Sequence, residues 1–287
     1  MLDQAESLRR LAENSNSEKE KKIKSKIITV TSGKGGVGKS NFVVNLGITL
    51  QNMGKKVVIF DADLGMGNDD VLMGLYPKNN IFDIIFTDLT IQDIIIKGNA
   101  GVCLIPAGSG LNKVQELSEQ ERKIFLSKLS ELDDFDYILI DTGAGVSRDI
   151  LSFISASEDL IIITTPEPTS LTDAYSLIKA ADYFKLKDNA HVIVNKAFGK
   201  DEGFETFSRL NTAVTKFLNI KVEYLGYILD DKKVVKGVRL QEPFVTLYPA
   251  CDAAKNIEDI AMKIIGQGPI STHGAKGLFK KLFNLFS

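Results

Sequence analysis

A glycine-rich run that carries two lysines is the segment of this sequence best suited to chemistry. The run GKGGVGKS, residues 33–40, follows an apolar stretch and precedes a helical pattern, NFVVNLGITL. Glycines let the backbone turn its N–H groups inward around phosphate oxygens, and the start of a helix adds a favourable dipole. Lys39 would reach the β- and γ-phosphates of a nucleotide, and the Ser40 hydroxyl would bind Mg²⁺. The predicted phosphate-binding residues are Gly33, Lys34, Gly35, Gly36, Val37, Gly38, Lys39, Ser40 and Asn41.

Carboxylates follow two other apolar runs. Asp61 and Asp63 come after KVVIF, and Asp141 comes after YILI. If both runs are strands of a doubly wound sheet, these side chains converge where the strand ends line the ligand crevice. Charged groups at the ends of buried strands need a partner, and Mg²⁺ is a natural one. A role as a helix cap remains an alternative for one of the three.

Seven apolar runs alternate with five helical patterns along residues 27–265. Strands are predicted at residues 27–30, 56–60, 102–105, 137–140, 160–164, 191–194 and 224–228. Helices are predicted at residues 39–53, 118–132, 169–184, 204–218 and 252–265. Unbroken apolar strands are typical of sheets that are buried on both faces. The pattern therefore predicts one α/β domain with a doubly wound, mostly parallel sheet and helices on both faces.

Charge, cysteine content and hydropathy exclude several classes of protein. The chain has 35 Lys plus Arg against 37 Asp plus Glu and a net charge of −2, which does not favour general coating of nucleic acid. Cys103 and Cys251 lie far apart without a CxxC pair, so neither a disulfide framework nor a thiolate metal site is expected. No apolar run reaches the roughly 18 residues of a membrane span, and no signal peptide is recognisable. We expect a cytoplasmic protein.

Lys34, directly after the first glycine of the loop, is not required by an ordinary phosphate-binding loop and has no evident partner within the chain. With this lysine, residues 26–265 resemble the MinD/ParA family of P-loop ATPases. The resemblance implies ATP/ADP and Mg²⁺ as ligands and a homodimer in the ATP state. It also implies that Lys34 reaches the partner subunit's nucleotide, so that hydrolysis stays slow until two subunits meet. Lys34, Lys39 and Asp63 would be the catalytic residues.

The same resemblance assigns roles around the γ-phosphate. Ser40, Asp61 and Asp141 would form the Mg²⁺ shell, mostly through water, and Asp63 would orient the attacking water. The backbone N–H of Gly143 would sense the γ-phosphate. One departure from the family is the pair Asp69 and Asp70, because an apolar residue usually follows the asparagine that is Asn68 here. We expect this departure to alter a switch surface rather than the chemistry.

The nucleoside is expected at two later segments. Asn195, in the strand-end segment VNK, resembles the adenine-reading asparagine of the family, and Lys196 follows it. A second base contact is expected within residues 226–243, which form a long match to the MinD group. Leu229 replaces the usual proline of the family there, and Asp230 follows it. A preference for ATP over GTP follows from the resemblance alone.

The sequence ends in an amphipathic segment, GLFKKLFNLFS, residues 277–287, after a polar tether at residues 266–276. Its apolar side chains recur at helical spacing, as in helices that lie in a bilayer interface with lysines toward anionic headgroups. These side chains are Leu278, Phe279, Leu282, Phe283, Leu285 and Phe286. One short helix should bind membrane weakly, whereas two in a dimer bind together. The tether favours a free helix, and docking on the domain's own core stays open as an alternative.

The N-terminal segment, residues 1–13, precedes a charged linker at residues 14–26. Within it, DQAESLRRL resembles the DQAxxLR activator motif of the FlhG group, the flagellar branch of the MinD/ParA family. Asp3, Gln4, Leu8 and Arg9 would contact a partner, which that resemblance implies to be an FlhF-type GTPase. It also implies flagellar basal-body components as partners and reversible association with the inner face of the cell membrane.

The leading prediction is therefore an ATP-dependent, dimerising and membrane-associating ATPase switch that regulates flagellar number and placement. A MinD-type division-site ATPase is the alternative, and it would not need the N-terminal motif. A ParA-type DNA-segregation ATPase would need a basic surface and no lipid helix, and we expect no sequence-specific binding of nucleic acid. A scaffold that binds ATP without hydrolysing it also remains open.

Overall fold

An eight-stranded sheet forms the centre of the computed structural model, which describes residues 25–63, 67–106, 118–266 and 274–286. The strands are β1 (Lys26–Ser32), β2 (Val57–Ala62), β3 (Ile96–Lys97), β4 (Cys103–Pro106), β5 (Tyr137–Ala144), β6 (Asp159–Thr164), β7 (Asn189–Ala197) and β8 (Lys221–Leu229). Their order is β3-β4-β2-β5-β1-β6-β7-β8. Only β3 pairs antiparallel, with β4; the other six pairings are parallel. The predicted fold class is confirmed.

Twelve α-helices surround this sheet in the described part of the chain. They are α1 (Lys39–Asn52), α2 (Asp69–Met73), α3 (Asp83–Phe86), α4 (Ile91–Ile94), α5 (Glu119–Lys128), α6 (Arg148–Ala156), α7 (Pro168–Tyr183), α8 (Lys200–Phe217), α9 (Lys232–Leu240), α10 (Phe244–Leu247), α11 (Asp252–Gly266) and α12 (Gly274–Phe286). Short 3₁₀ turns occupy Asn99–Gly101 and Leu129–Asp134. All five predicted helical patterns contain a helix. The four- and five-residue helices were not predicted because they are too short to show a period. The nine-residue helices α6 and α9 were not predicted either.

The sheet has an apolar core on each face. Neighbouring residues of a strand point to opposite faces, so Ile27 packs into one core and Ile28 into the other. Helices α1 and α11 cover the Ile28 face, where Phe42 and Ile257 are buried. On the other face, α5, α6 and α12 pack beside the cluster formed by α7 and α8. This two-sided cover leaves the carboxyl ends of the parallel strands as the place for polar side chains.

The C-terminal helix α12 is docked on the domain. Leu278, Phe279, Leu282 and Phe283 are each at most 4% exposed. The Phe279 ring lies 5.6 Å from Phe60, measured between ring centroids. The expectation of a free helix is therefore wrong for this structure, and the alternative of docking on the core is the one observed. The prediction was wrong because the polarity of the tether carries no information about the apolar surface of the domain on which the helix packs.

Phe125 of α5 lies at the centre of the surface on which α12 packs. Its ring centroid lies 5.2 Å from that of Phe279 and 5.5 Å from that of Phe283. At the start of α12, the Ala275 N–H donates to Asp133 Oδ1 at 3.1 Å. The predicted lipid-facing side chains Leu285 and Phe286 lie outside the described side chains. The four described side chains of this set form the contact between α12 and the rest of the domain.

Two other expectations bear on the ends of the chain. The predicted partner residues Asp3, Gln4, Leu8 and Arg9 lie outside the described residues. Among the helices that are described, none is both long enough and apolar enough to cross a bilayer.

Cys103 and Cys251 are both free thiols.

Candidate functional site

The predicted phosphate loop connects β1 to α1 and has the backbone form that its glycines allow. Gly36 and Gly38 have φ angles of +76° and +94°, in the left-handed region that favours glycine. A Cβ on Gly33 would collide with the backbone of Asp173 in α7, so this position requires glycine for space. No side chain caps the start of α1 at Gly38. The first N–H groups of the helix are therefore available to an anion.

Residues at the end of β7 hold the loop from its other side. The Asn195 amide Nδ2 donates to the Val37 carbonyl at 2.7 Å, and Lys196 Nζ donates to the Gly36 carbonyl at 2.9 Å. The structure thus brings both predicted nucleoside residues to the loop. The contact of Asn195 with adenine stays a prediction, since its amide here donates to the loop.

The second predicted base segment reaches the same edge of the sheet. Leu229 pairs with Ala197, and the Asp230 N–H donates to the Ala197 carbonyl at 2.9 Å. The Leu229 N–H donates to Oδ1 of Asn256 at 3.1 Å. Asn256 was not predicted, although a buried asparagine inside the apolar stripe of α11 is a usable signal. Base contacts by Leu229 and Asp230 stay predictions.

Lys39 lies beside the carboxyl end of β5. Its Nζ is 2.8 Å from Oδ1 of Asp141, and both side chains are buried. The Ser40 hydroxyl also hydrogen-bonds the Asp141 carboxylate. Burial raises the pKa of Asp141, and the neighbouring Lys39 offsets part of that rise. Three residues that the sequence assigned to phosphate and metal therefore meet at the end of β5.

Asp61 faces Asp141 across the β2–β5 ladder. Burial, and next the negative charge of Asp141, raise the pKa of Asp61 to about 7. The backbone N–H groups of Asp63 and Asp69 donate to its carboxylate at 3.2 and 3.4 Å. A Cβ on Gly143 would lie 3.6 Å from Oδ1 of Asp63. The three predicted carboxylates and Gly143 are thus neighbours at the end of two strands.

Asp69 corrects one expectation. We expected the departure from the family pattern to change a switch surface, but the Asp69 side chain is fully buried. Its carboxyl group meets Asp141, and burial together with the charges of Asp141 and Asp61 raises its pKa well above the usual range. Hydropathy patterns place an aspartate outside, whereas here Asp69 lies beside Asp61 and Asp141 at the ends of β2 and β5. The departure therefore lies in the buried carboxylate cluster and not on a surface.

Lys34 corrects another. We expected no partner within the chain, yet Lys34 Nζ lies 2.7 Å from Oε2 of Glu167 and 2.9 Å from the Thr169 hydroxyl. This contact lowers the pKa of Glu167. Both side chains are partly or largely exposed, and exposed pairs of this kind contribute little to stability. The lysine therefore has a resting position near the loop from which it is easily displaced.

The charges of the cluster suit a divalent cation that arrives with a nucleotide. Within the described ranges, no three acidic, histidine or cysteine side chains are arranged to hold a metal by themselves. Mg²⁺ commonly keeps several waters and takes phosphate oxygens with one or two protein groups, so a preformed cage is not needed. Ser40, Asp61 and Asp141 fit that role, since buried carboxylates outnumber the single ammonium of Lys39.

Comparisons with known proteins decide the family. Residues 25–194 match the AAA domain family. The chain is 35% identical over 239 residues to the antiactivator FleN of Pseudomonas aeruginosa, covering 83% of this chain and 85% of FleN. It is 36% identical over 264 residues to the flagellum site-determining protein YlxH of Helicobacter pylori, covering 90% and 89%. The chain belongs to the FleN/YlxH group of the MinD/ParA ATPases.

Solved structures support the same placement of this ATPase. Its backbone matches MinD of Aquifex aeolicus in a MinC:MinD complex with a TM-score of 0.67 and 27% identity, covering 87% of this chain and all of that one. MinD of Pyrococcus horikoshii, solved with Mg-ADP, matches with a TM-score of 0.66 at 24% identity, covering 84% and 96%. The latter likeness shows the fold alone. The family that the phosphate loop and Lys34 indicated is therefore confirmed.

Proposed function

We propose that this ATPase is a nucleotide-driven switch that dimerises with Mg²⁺–ATP, binds membrane in that state and regulates flagellar assembly. The observation that carries the proposal is the contact of Lys39 and Ser40 with the buried Asp141, beside Asp61 and Asp63. The names of FleN and YlxH, an antiactivator and a flagellum site-determining protein, support the flagellar role.

Transfer of a phosphoryl group to water requires positioning and charge neutralisation more than covalent chemistry. Bound Mg²⁺ would supply positive charge at the β- and γ-phosphates. Ser40, Asp61 and Asp141 would hold it, mostly through water. Lys39 exchanges Asp141 for phosphate oxygens, and Asp63 orients the attacking water and accepts its proton. The Gly143 N–H would donate to the γ-phosphate.

Dimerisation follows from the position of Lys34. In the single chain its ammonium rests on Glu167, and in the proposed dimer it moves to the nucleotide of the partner subunit. Light scattering with ADP and with a non-hydrolysable ATP analogue tests this step. Wild type should dimerise only with the ATP analogue, and Lys34→Ala should stay monomeric while it still binds nucleotide. Lys123→Ala, which removes an exposed lysine of α5, is the control.

Asp63→Ala tests the hydrolytic step separately. The variant should retain the binding groups and lose the group that orients water, so ATP should trap it as a dimer. Phosphate release and light scattering on the same sample measure both properties. Rapid turnover by Asp63→Ala would refute the assignment of Asp63.

Membrane binding requires α12 to leave its docking face, because Phe279 and Phe283 cannot contact lipid while they are buried. We expect sedimentation with anionic vesicles to be stronger with the ATP analogue than with ADP. Phe283→Glu should abolish sedimentation, because a charged side chain on this face opposes both docking and insertion into lipid. ATP hydrolysis by the same variant in solution checks that the domain remains folded. Equal sedimentation with both nucleotides would contradict coupling between the nucleotide and the helix.

The N-terminal segment distinguishes the flagellar role from its alternative. We propose that Asp3, Gln4, Leu8 and Arg9 contact an FlhF-type GTPase and stimulate it. Deletion of residues 1–12 should remove this stimulation and leave ATP-dependent dimerisation intact. Unchanged stimulation would favour the second candidate, a division-site ATPase. The 30% identity to MinD of Thermotoga maritima, over 91% of this chain and 97% of that protein, keeps this candidate in view.

A further inference from the structure

Asp69 is a buried carboxylate to which the proposed mechanism gives no role. It is the first residue of α2, and its side chain has no exposed surface. Among the described residues, no N–H or hydroxyl group donates to either of its oxygens. A buried carboxylate without a donor is costly unless a ligand or a proton satisfies it.

The groups around Asp69 add a deficit of positive charge to the missing hydrogen-bond donors. Its carboxyl group meets that of Asp141 and lies close to Asp61, and the neighbouring cation is Lys39. That ammonium is already 2.8 Å from Asp141. One lysine thus faces three carboxylates in a buried cluster. Mg²⁺ with its coordinated waters would supply both the missing charge and the missing hydrogen-bond donors.

A role as a helix cap does not account for this position. A capping carboxylate accepts N–H groups of the first turn, as Asp231 does from Lys233 at the start of α9. The Asp69 oxygens accept no such bond, and its own N–H donates to Oδ2 of Asp61 at 3.4 Å. Helix α2 has only five residues and a weak dipole. Capping of its own helix therefore does not explain the position of Asp69, whereas a ligand of the carboxylate cluster does.

We propose that Asp69 is a third carboxylate of the magnesium site, accepting hydrogen bonds from waters of the bound ion. It is a positioning residue, because the described residues contain no trio of side chains that holds a metal directly. This inference rests on the proposed use of Mg²⁺–nucleotide. It adds that this chain depends on Mg²⁺ more strongly than a chain with an apolar residue at position 69 would.

The test is binding of a fluorescent ADP analogue by the full chain, titrated with MgCl₂ and repeated in EDTA. Asp69→Asn should raise the Mg²⁺ concentration at half-maximal binding by on the order of tenfold, the size of one hydrogen bond to a charged group. In EDTA the same variant should bind the nucleotide as tightly as wild type, because Asp69 itself donates no group to the phosphates. A purely structural defect would weaken binding under both conditions.

Two further variants complete the design. Asp70→Asn makes the same change at the next residue, where the carboxylate is half-buried and accepts the Val71 N–H at 2.8 Å, and it should leave the Mg²⁺ midpoint unchanged. Asp69→Leu should melt at a higher temperature than wild type in EDTA, which shows that the site folds without the carboxylate. A Mg²⁺ midpoint for Asp69→Asn equal to that of wild type would overturn the inference. Binding by wild type that ignores Mg²⁺ would instead overturn the proposed function.

Discussion

The docking face of α12 and the carboxylate cluster beside the phosphate loop differ in how their buried groups are satisfied. At the docking face, Phe279 and Phe283 pack against Phe60 and Phe125, so the chain covers its own apolar surface. In the cluster, Asp69 is as deeply buried as those rings but lacks any hydrogen-bond donor among the described residues. One region is complete without a ligand, and the other is not.

The difference follows from the two kinds of interaction. Apolar burial is non-directional, so any apolar surface of suitable shape serves as cover, including a segment of the same chain. A buried charge needs a specific opposite charge or donor at short range. The docked helix can therefore be replaced by another apolar surface, such as lipid, whereas the cluster requires a cation. This contrast underlies the proposed switch.

Lys39→Ala should have the largest effect, because it removes the ammonium from the carboxylate cluster. Breaking a buried ion pair leaves an uncompensated charge, so the free energy of unfolding should fall by about 4 kcal/mol. Nucleotide binding should also be lost. Urea denaturation without Mg²⁺ measures the first effect, and binding of fluorescent ADP measures the second. Lys123→Ala is the control. A similarly small change of the free energy of unfolding in both variants would show that Lys39 does not stabilise the carboxylate cluster.

Phe125→Ala should come next, because it removes the centre of the docking face of α12. A fully buried Phe replaced by Ala typically lowers the free energy of unfolding by about 3 kcal/mol. The variant should also sediment with anionic vesicles without nucleotide, since the helix loses its cover. Phe207→Ala, at a buried position of α8 in another cluster, should destabilise without this gain. Equal sedimentation of the two variants would contradict a specific docking face.

Lys187 tests whether α12 stays docked in solution. Burial and next the positive charge of Lys281 in α12 lower the pKa of Lys187 to about 8, and its ammonium donates to the Ser157 carbonyl. The unfolded chain keeps this proton up to about pH 10.5, whereas the folded chain releases it near pH 8. The unfolded state therefore binds more protons between these values, and the free energy of unfolding should rise there by about 2–3 kcal/mol.

Urea denaturation at pH 7.5 to 10.5 measures this rise. Lys187→Met should remove most of it. Lys281→Gln should reduce it by raising the pKa of Lys187, whereas Lys280→Gln, at an exposed position of the same helix, should not. An unchanged profile in Lys281→Gln would mean that α12 does not lie beside Lys187 in solution.

Glu167→Gln should have the smallest effect. Its pair with Lys34 lies at the surface, so the stability of the single chain should hardly change. The freed Lys34 should favour ATP-dependent dimerisation by a few-fold, which light scattering over a concentration series measures. Glu205→Gln, which loosens an exposed pair with Arg209 on α8, is the control. A dimer weakened by Glu167→Gln would show that Glu167 acts at the interface itself.

Local pattern predicted much of this molecule. All seven predicted strands are present, because each is a short apolar run whose character does not depend on its neighbours. The phosphate loop was predictable because its glycines, lysine and serine are consecutive. The meeting of Asp61 with Asp141 was predictable because parallel strands end on the same side of a sheet. In each case the relevant information lies within a few residues or in a general rule of topology.

The failures share the opposite property. Asp69 was assigned to a surface, Lys34 was left without a partner, and α12 was expected to be free. Each depends on a residue distant in sequence: Asp141 for Asp69, Glu167 for Lys34 and Phe125 for α12. The local sequence around these residues does not predict which distant side chain they contact in the folded domain.

The sequence by itself determined the class of fold, the phosphate loop and the family, because hydrophobic period and consecutive loop residues are local properties of the chain. The tertiary structure alone decided that Asp69 is buried without a donor and that α12 covers its own domain. Burial depends on which surfaces meet after the sheet has formed, and the free energy of a charge or an apolar ring depends on that burial.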